Sequence, residues 1–252
     1  MSWLELLTLA LLPAFLLLDF FHRPHTDPRS RWWRSRAFVV TAINFWLSLV
    51  IGAAWGSLLG GTSLLPGSAL GIAGGALVGV LVYEFAHYWY HRLAHRADWL
   101  WRLGHQMHHS AESLDAWGAY YLHPIDVLFF VSLSSLVLFP VLGLSPEAGA
   151  FASAALTFLA IFQHANLRTP RWMGYLVQRP ESHRIHHARG VHAYNYADLP
   201  LWDIVFGTFN NPPADAPAQP QGFYAGASAR LIDMLLFRDV SRSPSQRQAP
   251  HL

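Results

Sequence analysis

Long apolar runs separated by short polar segments dominate the first two thirds of the chain. A helix that crosses the hydrocarbon core of a bilayer needs about 20 apolar residues. Five segments reach or approach that length, at residues 3–21, 37–59, 69–86, 127–144 and 148–162. The fifth is short, so it is predicted to be a buried or tilted span. The pattern therefore predicts an all-α, integral membrane helical bundle with about four to five spans.

The two ends of the chain differ in character. The first apolar run has no basic segment before it and no small-residue cleavage site after it, which predicts a retained span and not a cleaved signal peptide. We divide the chain into N-terminal transmembrane helices (1–80), a histidine-rich domain (81–210) and a C-terminal cytoplasmic tail (211–252). In the tail, residues 225–240 are too short to span, and we expect an interfacial helix on the membrane surface. The alternative is that this segment packs over the histidine-rich domain.

Composition narrows the class of protein. Hydrophobic residues make up 53% of the chain and charged residues only 13%, against about a quarter charged in an ordinary soluble domain. Lipid is therefore the expected main solvent. The chain has no Cys, which excludes disulfides, thiolate metal sites and thiol nucleophiles. Any metal must be held by nitrogen or oxygen, and nothing in the charge pattern supports binding to nucleic acid.

Arginine placement predicts the orientation in the membrane. Five Arg follow the first apolar run, namely Arg23, Arg29, Arg31, Arg34 and Arg36. Basic residues in short loops mark the cytoplasmic side, so the N-terminus is expected outside. Alternation of the spans then places residues 60–68 and 145–147 outside, where Glu147 is the one charged residue, and all the later Arg inside. We therefore predict a multi-pass protein of a bacterial inner membrane whose clustered histidines face the cytoplasm.

Histidine spacing provides the chemical signal. Glu84 to His95 reads EFAHYWYHRLAH, and helix positions i and i+4 lie about 6 Å apart on one face, so His91 and His95 can ligate one metal. The sequences HQMHH and HRIHH follow at residues 105–109 and 183–187. In each, i and i+3 share a face while the adjacent His points away, so one short helix can serve two neighbouring metal ions. The spacing predicts a metal pair, whereas isolated His22, His25, His192 and His251 are interpreted as ordinary helix-end or surface residues.

The donor set restricts the metal without fixing it. Neutral imidazole suits zinc, copper, iron and nickel, while magnesium and calcium prefer oxygen. A hydrolytic zinc site would more often show HExxH with its general-base Glu, and that motif is absent from the sequence. Many imidazoles and few carboxylates fit iron that activates dioxygen, and zinc stays open.

The motifs resemble those of a known superfamily. EFAHYWYHRLAH, HQMHHS, YLHPID, QHAN, HRIHH and NYADLPLWDIVFGT occur in the order seen in the sterol desaturase and fatty acid hydroxylase superfamily, over residues 81–208. The resemblance implies a di-iron, dioxygen-dependent membrane enzyme that hydroxylates or desaturates a sterol, fatty acyl lipid, alkylglycerol or carotenoid. It also implies a separate electron-donor protein, since no flavin or nicotinamide motif is present. By position, it assigns metal-ligand roles to His91, His95, His105, His108, His109, His183, His186 and His187.

Other polar residues have less definite roles. His164 lies where the family often supplies a further ligand, and His123 is expected to be a ligand or a partner of one. His87 occupies a position where the family often has an aromatic residue, and Glu84 stands where the family commonly has Asp. We expect Glu84, His87, Asn195 and Asp203 to contact the ligand histidines from outside, although Asp203 is equally suited to cap a helix or turn.

Two rival functions remain open from the residues alone. A non-catalytic, His-rich metal-binding or metal-transporting membrane protein would need ionisable residues midway through its spans. No charged residue occurs within three of the predicted spans, at residues 37–59, 127–144 and 148–162. This absence weighs against transport. A membrane zinc hydrolase is the other rival. The glycine-rich run at residues 71–75 is interpreted as close helix packing and not as a phosphate-binding loop.

Overall fold

The computed structural model describes residues 3–22, 24–213, 216–217 and 219–243. These residues form helices and loops, with one isolated β-bridge between Ala188 and Gln221. The long helices are α1 (Trp3–Phe21), α2 (Trp33–Leu59), α3 (Gly71–Ala94), α6 (Pro124–Leu136) and α7 (Pro146–His164). The short ones are α4 (Asp98–Leu100), α5 (Gln106–His109), α8 (Pro180–His186), α9 (Pro200–Val205) and α10 (Leu231–Leu235). The predicted all-α class is confirmed.

Four helical stretches are long and apolar enough to cross a membrane. They are Trp3–Phe21, Trp33–Leu59, Gly67–Ala94 and Pro124–Val141, the last extending α6 through a π-helical turn at Val137–Val141. Most of their residues are not buried within the protein, and large apolar side chains such as Trp46, at 68%, are exposed on its surface. Such apolar surface requires lipid around it, so the chain is a multi-pass membrane protein. Helix α7, the predicted fifth span, is less apolar than these four stretches. That it crosses the membrane stays a prediction.

Small residues bring α3 and α7 into close contact. A Cβ atom on Gly75 would lie 3.0 Å from the Cβ of Ala148, and one on Gly79 would lie 3.3 Å from the Cβ of Ala152. Both distances are too short for a larger side chain, so the glycines set the helix separation. This contact confirms the packing interpretation of the glycine-rich run for Gly75. The end of α3 and the end of α7 thereby meet at one end of the bundle.

Buried polar groups join α1 and α2 to the histidine-rich region. Asp19, near the end of α1, is fully buried and its carboxylate accepts the backbone N–H groups of Ala116 and Asn166. Asn44 of α2 donates from its side chain to the carbonyls of Tyr120 and Leu122, at 3.1 and 2.9 Å. These hydrogen bonds hold the first two helices against the loops that carry the histidines.

The C-terminal segment packs on the protein. Met234 of α10 and Val240 are fully buried against Trp33, Met107 and Tyr121. The Gln106 side chain also accepts from the Val240 N–H and donates to the Arg238 carbonyl. This side of the segment therefore packs on the protein, as the alternative describes, and the interfacial helix stays a prediction.

Candidate metal centre

Histidines from four parts of the chain converge at one end of the bundle. The end of α3, the π-helical turn Trp101–His105 with α5, the end of α7, and α8 each contribute. Among the described residues they form two groups, in each of which one nitrogen per ring lies within 4.8 Å of the others. Site A consists of His91, His95, His105, His109 and His186, and site B of His108, His164, His183 and His187.

Helical spacing explains how each element contributes. His91 lies in the last turn of α3 and His95 directly follows that helix, one turn further on, and their Nε2 atoms lie 3.2 Å apart. His108 and His109 are neighbours on α5 and point in different directions, so His109 joins site A while His108 joins site B. His186 and His187 divide in the same way. The two HxxHH motifs thus link the two sites, but the predicted pairing of i with i+3 is wrong. The first histidine shares its site with the one at i+4, and the i+3 residues, His108 and His186, join the other site. The reason is that four residues rotate about 40° around a helix, whereas three rotate about 60° in the other direction.

Site B is equally compact. The Nε2 atom of His164 lies 3.0 Å from the Nε2 of His108 and 3.0 Å from the Nε2 of His183. The Nε2 of His187 lies 3.1 Å from that of His183. Two ligand atoms on one transition-metal ion have this order of separation, given metal–nitrogen bonds of about 2.1 Å.

Hydrogen bonds on the outer side of the rings fix the tautomers. The Nδ1 of His91 lies 2.6 Å from the Tyr196 carbonyl, that of His186 lies 2.7 Å from the Tyr194 carbonyl, and that of His164 lies 2.7 Å from the Ala160 carbonyl. A carbonyl oxygen only accepts. Each Nδ1 therefore carries the proton, and each Nε2 presents a lone pair to the interior of its site.

The inward-facing nitrogens fit a metal pair. The Nε2 atoms of His105, His109 and His186 are buried and have no hydrogen-bond partner in the protein. Burial, followed by the charge of neighbouring histidines, lowers the pKa of His183 and His187 well below 6.5. The rings are therefore neutral at pH 7, which is the form that binds metal. Converging lone pairs repel one another unless a cation lies between them, so these residues fit two nitrogen-bound metal ions.

A cavity leads from the two sites into the bundle. It encloses about 610 Å³ and is lined by apolar residues of α1, α2, α6 and α7, among them Leu12, Phe38 and Leu156. Ligands of both sites contribute to its inner wall, namely His91, His105, His108, His164 and His183. The cavity is large enough for a small lipid or a lipid chain.

A family model for fatty acid hydroxylase matches residues 76–208, which is more than half of the 252 residues. The chain belongs to the fatty acid hydroxylase family. This result confirms the resemblance carried by the histidine motifs.

Relatives within the fatty acid hydroxylase family act on several kinds of lipid, as their names state. The chain is 34% identical to ornithine lipid hydroxylase of Rhizobium tropici, over 54% of this chain and 42% of that protein. It is 28% identical to sphinganine C4-monooxygenase 1 of Arabidopsis thaliana, over 52% of each. It is 30% identical to human alkylglycerol monooxygenase, over 50% of this chain and 28% of that protein. The chain thus spans about half or less of these relatives, and no solved structure matches it significantly.

His123 and His87 lie outside both sites. His123 precedes α6, where its Nδ1 accepts the Ile125 N–H at 3.1 Å and its ring contacts Phe237. It therefore caps the helix, and the structure does not bring it to a metal group. His87 stacks on His91 with ring centroids 5.5 Å apart, and forms a separate group with Glu84 and Asp198.

Asn195 and Asp203 support the ligands through a loop. The Asn195 side chain donates to the carbonyls of Ser182 and Asn210 at 2.9 Å each. The Asp203 carboxylate accepts the backbone N–H groups of Tyr196 and Ala197 at 2.8 and 2.9 Å. This loop carries the Tyr196 carbonyl that His91 contacts. The two side chains therefore position a loop. They do not touch a ligand ring, although contact with the ligand histidines was expected of them.

Two residues near site A were not predicted to lie there: Asp126 was not considered, and His192 was interpreted as an ordinary helix-end or surface residue. The Asp126 carboxylate accepts from the Nδ1 of His105 at 2.8 Å. The Nδ1 of His192 lies 3.2 Å from the Nδ1 of His109. The available signal for Asp126 was its place in YLHPID, one of the motifs of the fatty acid hydroxylase family. No signal distinguished His192 from an ordinary loop histidine.

Proposed function

We propose that this protein is a membrane di-iron oxygenase that uses dioxygen to hydroxylate or desaturate a lipid. The observation that carries the proposal is the apolar cavity whose inner wall contains ligands of both histidine sites. An aliphatic chain in this cavity would lie against the two metal ions. The names of the relatives, which include lipid hydroxylases and monooxygenases, support the same reaction class.

The chain's own residues would perform three tasks in this reaction. Nine histidines would hold two iron ions, site A with five and site B with four. When bound, the iron pair would supply the reduction of dioxygen and the attack on an unactivated C–H bond. Apolar side chains of α1, α2, α6 and α7 would bind the lipid chain and exclude water from the site.

The proposal includes an orientation and a partner. We place the histidine end on the cytoplasmic side of a bacterial inner membrane, because the Arg-rich α1–α2 connection lies there by the charge rule. Asp115 of the histidine-rich region pairs with Arg29 of that connection at 3.1 Å, so the two lie at the same end. A separate cytoplasmic electron-donor protein would then supply the reducing equivalents.

The test combines metal analysis with turnover. Purified protein in lipid nanodiscs is expected to contain two irons and, with a chemical or protein reductant, to consume oxygen and modify added lipid. Heavy-isotope dioxygen distinguishes the products, because hydroxylation adds labelled oxygen to the lipid and desaturation only removes two hydrogens. His22→Ala, a substitution of an exposed histidine outside both sites, serves as the matched control for His186→Ala. Stoichiometric zinc without oxygen consumption would refute the proposal.

A further inference from the structure

Three buried polar residues form a group beside site A, and none of the three is a ligand of site A. Glu84 and His87 lie on α3, and Asp198 lies in the loop before α9. Their exposed fractions are 0%, 6% and 5%. Carboxylates are rarely buried this completely without a binding or catalytic role or a full set of partners.

The group does not satisfy its own hydrogen-bonding capacity. One Glu84 oxygen accepts the backbone N–H groups of Asp198 and Leu199, whereas its other oxygen, Oε1, has no partner. The Nδ1 of His87 lies 3.7 Å from a carboxylate oxygen of Glu84 and 3.7 Å from one of Asp198, which is too long for a hydrogen bond. Unpaired buried polar atoms are costly, so this group is suited to receive a further polar partner.

Two of its members, His87 and Asp198, face the lipid cavity. His87, Asp198 and Gln163, whose side chain donates to Asp198 at 2.6 Å, line the cavity wall. The His87 ring lies parallel to that of His91, with centroids 5.5 Å apart. A molecule in the cavity would therefore meet this polar patch close to a ligand of site A.

We propose that His87, Asp198 and Gln163 bind a hydroxyl group of the lipid next to the carbon that is oxidised, while Glu84 holds the backbone of Asp198 in place. A hydroxyl both donates and accepts hydrogen bonds. It can pair with the imidazole of His87 and with the carboxylate of Asp198 at the same time. A plain hydrocarbon leaves both groups unpaired, an ether can only accept, and an ammonium can only donate.

The inference rests on the proposed function in one respect, namely that the lipid binds in this cavity. The ring of His87 stacks directly on that of His91, a ligand of site A. A hydroxyl bound at His87 would therefore be separated from the reacting carbon by only a few bonds. The proposal thereby narrows the substrate from lipids in general to those with a free hydroxyl near the site of oxidation.

Native mass spectrometry of the metal-loaded protein, without reductant, tests the proposal apart from turnover. The probes are 1-hexadecanol, methyl hexadecyl ether and hexadecylamine. The wild type is expected to bind the alcohol about tenfold more strongly than the ether, the ratio given by one hydrogen bond of about 1.4 kcal/mol. His87→Phe should reduce that ratio to about one without changing binding of the ether or the metal content. His22→Phe, the same substitution at an exposed position, should retain the tenfold ratio.

Several results would overturn the assignment. Equal binding of alcohol and ether by the wild type would show that no hydroxyl is recognised, and preferential binding of the amine would assign a cationic group. An unchanged ratio in His87→Phe would exclude His87. If that variant does not fold, Gln163→Leu and Asp198→Asn must lower the ratio in its place. Failure of lipid oxidation, in contrast, would leave these binding results intact and would count against the proposed function alone.

Discussion

Asp126 offers the sharpest test of how the metal sites are built. Its Oδ2 accepts from the Nδ1 of His105 at 2.8 Å, and its Oδ1 accepts from the hydroxyl of Tyr90 at 2.7 Å. The Asp126 and His105 side chains are each only 1% exposed. In Asp126→Ala, the His105 N–H loses its partner in a place that water does not reach, so the ring is no longer held in its ligating tautomer.

The expected loss follows from comparable metal sites. Removing a carboxylate that orients a ligand histidine weakens metal binding by about 10–100-fold, or roughly 1.4–2.7 kcal/mol. His105 belongs to site A alone, so site B should keep its affinity. Asp126→Asn retains an oxygen that accepts from His105 without the negative charge, and it should lose less. Tyr90→Phe leaves the His105–Asp126 hydrogen bond intact and is the matched control.

Cobalt titration of metal-free protein measures this loss. Bound Co²⁺ absorbs visible light in a manner that depends on its ligands, and competition with a chelator yields two dissociation constants. Asp126→Ala should raise one of them by about 10–100-fold and leave the other within error of the wild type. An equal loss at both sites would mean that the substitution damages the fold, and no loss at all would refute the role given to the hydrogen bond.

His91→Ala should abolish lipid oxidation and lower bound metal, as measured by mass spectrometry. His192→Ala should weaken cobalt binding about tenfold at site A only, because His109 loses its partner. A C-terminal reporter should be active in the cytoplasm, and activity only in the periplasm would contradict the orientation. Metal-free protein should lose thermal stability as pH falls below about 6.5, as monitored by tryptophan fluorescence. The reason is that burial lowers the pKa of His183 and His187 in the folded state, so the unfolded chain takes up more protons at low pH.

Local periodicity made much of this protein predictable. Hydropathy located the long helices because a span depends on the composition of one continuous segment. Helical spacing brought His91 beside His95 and directed His108 and His109 to different sides, since both effects arise within one or two turns. The same reasoning could not assign each histidine to site A or site B, because that depends on how α7 and α8 pack against α3.

Long-range contacts explain what the sequence did not reveal. Asp126 meets His105 across 21 residues of chain, and no local spacing predicts such a pair. Met234 lies in a segment with the periodicity of a surface helix, but it is buried because it packs with Met107 and Tyr121, which are distant in the chain. His123 lies in a family motif, yet the proline after it begins α6 and leaves its Nδ1 to accept a backbone N–H.

The loop after α8 explains why the NYADLPLWDIVFGT motif, which contains no metal ligand, follows HRIHH in the sequence. His192, Tyr194 and Asn195 all have positive φ, at 41°, 67° and 49°, a conformation that costs a residue other than glycine about 1–3 kcal/mol. This backbone turns the Tyr194 carbonyl towards His186 and leads to the Tyr196 carbonyl at His91. Side-chain hydrogen bonds from Asn195 and to Asp203 hold the loop in that shape. The strain is therefore offset by contacts whose result is the correct orientation of two ligands of site A.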